Sequence, residues 1–159
     1  MERIGRKRSV QMNVQTTRFG QIEVDEKRVI SFPAGLLGFS NHHRFVLLQP
    51  DDEGVFFWLQ SCEAPDLAFV VTDPMLWVKG YEVPIRAEQM AELRLARTED
   101  AQVLVIVNKR DSSLTVNLQG PLVVNTATLQ AQQLVLAEKR WTTRHEILEV
   151  GRSLHAASA

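Results

Sequence analysis

A single cysteine, Cys62, in 159 residues excludes an internal disulfide framework and fits a reducing compartment. No apolar run approaches the roughly 18 residues needed to cross a bilayer. The N-terminal MERIGRKRSV has no apolar segment behind its charges, so it does not read as a secretory signal. Together these absences predict a cytoplasmic protein with no membrane contact. Phosphate-cradling patterns are missing as well: neither GxxxxGKS/T nor GxGxxG occurs. Basic residues are scarce over Phe19–Asp73, where nine acidic side chains face only Lys27, Arg28 and Arg44. A body of that sign is poorly suited to holding RNA.

What is present is ordinary globular material. Hydrophobic residues make up 45% of the chain and charged residues 23%, and 159 residues are enough to bury a core without disulfides or metal. The net charge of −1 conceals an asymmetry. Residues 1–11 carry Arg3, Arg6, Lys7 and Arg8 against Glu2; without them 14 basic and 18 acidic residues remain, a net charge of −4. The expected organisation is a basic, disordered extension over 1–11, one domain over 12–151 and a frayed tail over 152–159. Met12 could serve as an alternative start, with the extension upstream of it.

Three five-residue apolar runs, VFFWL (Val55–Leu59), LAFVV (Leu67–Val71) and VLVIV (Val103–Val107), are rich in β-branched and aromatic types. They predict strands covered on both faces. Shorter alternation in QIEVD and LTVNL adds half-buried strands, and turns are expected at Phe19-Gly20, Asp25–Lys27, Pro50–Gly54, Cys62–Asp66 and Arg110–Ser113. The fold class is therefore mainly β: a small antiparallel barrel-like or sandwich domain with one main helix near Pro84–Leu95. A second, weaker helical pattern covers Thr142–Val150. FPAGLLGF (Phe32–Phe39) is apolar yet holds Pro33, Gly35 and Gly38. It reads as a corner after the strand RVISF, with Leu36, Leu37 and Phe39 pinning the turn to the core.

No arrangement of nucleophile, base and oxyanion donors can be assembled, so the chain reads as a non-enzyme without cofactor or metal. Cys62 has no local signature tying it to His42, His43, His145 or His155, and a lone cysteine at a strand end is an inert small hydrophobe. His42 and His43 point to opposite sides of an extended chain and do not share one metal. Asp51, Asp52 and Glu53 lack the EF-hand spacing and read as a surface turn. Phe56, Phe57 and Trp58 carry no interleaved Lys or Arg, which favours core packing over base stacking.

Taken in order, TTRFGQIEV, ISFPAGLLGF, RFVLL, FFWLQS, APDLAFVVTDP, EDAQVLVIV and NLQGPLVVNT resemble the flagellar assembly factor FliW from about Val14 to Val150. Gly120 in NLQGP departs from the alanine more usual in the family. The resemblance implies a non-enzymatic protein that binds the translational regulator CsrA and also flagellin. Release from flagellin would let it capture CsrA and relieve repression of flagellin mRNA. It also implies no direct contact with nucleic acid and a monomer when free. The alternative is a nucleic-acid-binding β-barrel, supported by the basic extension and the fold class and opposed by the acidic body.

For protein contacts the sequence offers strand ends where apolar runs turn polar: Gln60 and Ser61, the strand Val105, Ile106 and Val107 with Asn108, and Asn125. Such sites suit addition of a partner strand, or the amides cap strands and turns. Tyr81 is either an exposed aromatic anchor or buried beside the helix.

Overall fold

The computed structural model describes residues 10–49 and 54–149. Most of the basic extension, the acidic turn at 50–53 and the C-terminal end with His155 lie outside the described residues.

Among the described residues eleven strands form an antiparallel curled half-barrel with a hairpin beside it. The hairpin is β1 (Gln11–Thr16) and β2 (Gly20–Asp25), paired from Gln11↔Asp25 to Thr16↔Gly20. The main sheet runs β10 (Ala131–Gln133), β9 (Leu122–Asn125), β7 (Ala101–Arg110), β6 (Ala68–Thr72), β5 (Phe56–Ser61), β4 (Arg44–Leu48) and β3 (Ile30–Ser31). β8 (Ser113–Val116) pairs with β7, and β11 (His145–Glu149) pairs with β8. The ten-residue β7 is the spine: its first half pairs with β9, its middle with β6 and its last four residues with β8.

Curling gives the sheet two apolar clusters, one against each face. Val105 and Val107 enter one beside Val116 and Leu118; Leu104 enters the other beside Phe45, Leu59 and Val71. Alternate residues of β7 thus meet different cores, which is why its sequence is continuously apolar. The first half of β5 is less enclosed. Phe56 stacks on Trp77 at 5.6 Å, and half-buried Trp58 lies edge-on to Phe19.

The main helix, α1, is shorter than the sequence pattern predicts, Ala87–Glu92 rather than Pro84–Leu95. Pro84 and Ile85 precede it. The Arg86 N–H donates to Gln89 Oε1 at 2.8 Å at its start, and Arg94, at φ 55°, ends it. Met90 and Leu93 still pack inward. The second expected helix is a strand: β11 pairs from His145↔Val116 to Glu149↔Ser113, with a register shift between Glu146 and Leu148. Local helix-compatible spacing loses to a ladder with β8, which a short window cannot contain.

The FPAGLLGF corner is a reciprocal turn. Phe39 N–H donates to Leu36 O at 2.7 Å and Leu36 N–H to Phe39 O at 3.3 Å. Of the three residues expected to pin it, only Leu36 is buried, beside Phe32 at the corner's start; Leu37 and Phe39 are 60% and 37% exposed, although Phe39 rests edge-on against Phe69. Gly35 is fixed by space as well as by φ +71°, since a Cβ there would sit 2.7 Å from Phe39 O.

Candidate functional site

Six of the eight residues picked out for protein contact are buried, so they are not a ready-made surface. Gln60 and Ser61 are fully enclosed at the end of β5. Gln60 Nε2 donates to the carbonyls of Ser61, Pro65 and Leu67 at 3.1–3.2 Å. Ser61 Oγ accepts from Glu63 N–H and Ala64 N–H at 3.0 and 2.9 Å. The pair therefore builds the β5–β6 turn. Asn125 does the same for the turn after β9, accepting from Ala127 N–H at 2.9 Å and Thr128 N–H at 3.3 Å. Its amide nitrogen donates to Leu93 O at 2.8 Å and Arg94 O at 3.2 Å, closing the end of α1. These amides are the capping groups that polar residues at strand ends often become.

Tyr81 is a core residue. It is 3% exposed, packs edge-on to Trp141 at 4.9 Å and donates its hydroxyl to Leu118 O at 2.6 Å. Burial pushes its phenol well above the ordinary range. Val105 and Val107 are buried and Ile106 is half-buried, so of the four residues picked out on this strand only Asn108 is exposed. Tyr81 and Asn125 receive partners from segments distant in sequence, whereas Gln60 and Ser61 are satisfied by the adjoining β5–β6 turn.

The candidate chemistry is equally constrained. Burial raises the Cys62 thiol, Arg44 partly offsets that, and Glu63 adds to it, so the thiol is held away from its nucleophilic form. His43 Nδ1 lies 3.1 Å from Phe32 O, a backbone contact within the corner. Among the described residues no three His, Cys, Asp or Glu side chains stand close enough to hold a metal ion. No helix among them is long and apolar enough to cross a membrane.

Two surface features escape the sequence reading. Arg18, from the β1–β2 turn, lays its guanidinium 4.1 Å over the Trp58 ring, supplying across two elements the cation missing within β5. That cation covers the ring face a base would stack on, so the pairing is closed on itself. The second feature is a groove at the outer side of β4, lined by Glu23, Val24, Asp25, Arg28 and Val46–Leu48. The signal for it is topological, since it depends on where β3 stops, and no motif marks it.

Comparison with known proteins places these features in a family setting. The family model described as FliW protein matches residues 13–147. A flagellar assembly factor FliW from Geotalea uraniireducens is 42% identical over 140 residues, covering 87% of this chain and 85% of that protein. One from Geobacter sulfurreducens is 43% identical, covering 87% of each. A crystal structure of the flagellar assembly factor FliW superposes with a TM-score of 0.79 at 31% identity, over 86% of this chain and 97% of that one.

Proposed function

This chain belongs to the FliW family of flagellar assembly factors, and from that premise we propose that it binds a CsrA-type translational regulator and flagellin in alternation. Held by flagellin, it leaves the regulator on flagellin mRNA. Released when flagellin falls, it captures the regulator and lifts the repression. It works in the cytoplasm as a binding protein, a monomer when free, and does not contact the RNA itself.

The observation that carries this reading is that the FliW-like segments fold into a hairpin and one curled sheet, with polar side chains at the ends of β5 and β9 spent on turns. Among the described residues no reactive constellation competes with binding. Charge agrees in sign: an RNA-holding regulator must be basic where it meets phosphate, and residues 12–159 carry a net −4. Raising salt should then slow association more than it speeds dissociation.

The decisive measurement is a titration of this protein into a preformed regulator–RNA complex, following RNA release, repeated with excess flagellin. Release that flagellin suppresses is the expected result. RNA that stays bound at saturating protein, or protein that joins the RNA directly, overturns the reading.

A further inference from the structure

Two strand edges face one groove. β3 accompanies β4 only at Ile30↔Phe45 and Ser31↔Arg44, and on the near side of Ile30 the chain is a single turn of 3-10 helix, Glu26–Arg28. The next stretch of β4, Val46–Leu48, pairs with β5 on one side and, among the described residues, with no strand on the other. Among the described residues β2 pairs only with β1. Glu23, Val24 and Asp25 of β2 and Val46–Leu48 of β4 line the same space, about 810 Å³.

Hydrogen-bond parity says which backbone groups point into it. Cys62 N–H donates to Arg44 O at 2.9 Å. In an antiparallel ladder the bonded pairs recur every second residue, so Val46 and Leu48 bond to β5 while Leu47 turns its N–H and C=O the other way. On that outer side Phe32 N–H donates to His43 O at 2.7 Å, which makes Phe45 and then Leu47 the bonding positions. Phe45 meets Ile30; among the described residues Leu47 meets no strand on this side. The vacancy continues the line of β3 and is bordered by apolar Ile30, Phe57 and Leu129.

We infer that this groove is a strand-addition site. An extended segment of a partner protein lies antiparallel to β4 in the line β3 leaves, and its backbone completes the pair at Leu47. Alternation follows from the pleat: every second side chain of the segment enters the apolar floor and must be apolar, and the others face the rim. The rim carries the exposed Glu23 carboxylate and the Arg28 guanidinium, while the Asp25 carboxylate is engaged as a cap, accepting from Lys27 N–H at 2.9 Å. The segment is therefore apolar at alternate positions, with a cation between them where it passes Glu23. This deepens the binding reading above, resting on it only in taking the occupant to be a protein.

The test uses the full chain and the synthetic strand KVTVKVT, acetylated and amidated, followed by amide NMR. The peptide is tested without regulator, RNA or flagellin present, so its outcome is separate from the RNA-release titration. The Leu47 amide should shift and its hydrogen exchange slow on saturation. Methylating the nitrogens of the peptide's alternate residues, in two frames, should weaken one frame roughly three- to tenfold and spare the other. Glu23→Lys, at an exposed site, should weaken the cationic peptide roughly two- to fivefold without lowering the melting temperature. Shifts centred on another strand, an unprotected Leu47 amide at saturation, no shift at millimolar peptide, or equal binding by both methylated frames would overturn the inference. If Glu23→Lys lowers the melting temperature, Glu23→Gln gives the charge comparison, and unchanged affinity in it removes the rim chemistry.

Discussion

Asn125 closes the end of α1 from 32 residues away, its amide nitrogen 2.8 Å from Leu93 O and 3.2 Å from Arg94 O. The same side chain's oxygen holds the following turn through Ala127 N–H and Thr128 N–H. One buried amide thus joins a helix end to a strand end. Asn125→Ala leaves carbonyls and amides on both sides without a partner and should cost about 2–3 kcal/mol in urea unfolding. Asn125→Asp keeps the shape and the acceptor but sets a carboxylate against two carbonyls, so at pH 7 it should be no better than alanine.

The corner at Phe32–Phe39 separates two effects of glycine. Gly35 and Gly38 both have positive φ, but a Cβ at Gly35 would strike backbone atoms at 2.7 Å while one at Gly38 meets nothing within 4 Å. Gly38→Ala should lose only the conformational term, about 1 kcal/mol. Gly35→Ala adds a steric clash with backbone that cannot rotate away, and should be clearly the less stable of the two. Equal melting temperatures would show that the corner relaxes.

The thiol of Cys62 provides a chemical readout of its surroundings. Burial raises it first, and the Glu63 carboxylate adds to that rise. Alkylation at pH 8 should run more slowly in the folded protein than in urea, because the thiolate is the reacting form. Glu63→Gln should speed the folded reaction. A folded rate above the unfolded one would restore an activated cysteine.

Much of the sheet is legible in the sequence because burial on both faces writes itself as an unbroken apolar run. Val105 and Val107 serve one cluster and Leu104 the other, and VLVIV reports both at once. What stays hidden is cover that comes from far along the chain. Tyr81 is buried because Leu118, 37 residues on, accepts its hydroxyl and Trp141 packs on its ring. His145–Glu149 extends because β8 offers an edge, against a local spacing that suits a helix. The open side of β4 is legible only once β3 is seen to stop at Ile30.

Tyr81 also makes the stability of this protein depend on alkaline pH in a way that can be isolated. Its hydroxyl is buried and bonded to Leu118 O, and burial raises the phenol above its ordinary value of 10.0. In the unfolded chain the group ionises near that ordinary value, whereas in the fold it stays protonated to higher pH. A folded pKa above the unfolded one means that the protonated hydroxyl's contribution is fully present below pH 10 and is lost as the pH rises beyond it. Tyr81→Phe removes that group and leaves Leu118 O without its donor, which should cost about 1 kcal/mol at pH 8. Above pH 10 wild type should lose stability faster than Tyr81→Phe, and the gap between them should narrow or reverse. Because Tyr81 is the only tyrosine in the chain, tyrosinate absorbance reads it directly, and that signal should rise together with unfolding rather than before it. Ionisation of the folded protein near pH 10, or a gap that stays constant with pH, would place the hydroxyl in solvent and undo the argument.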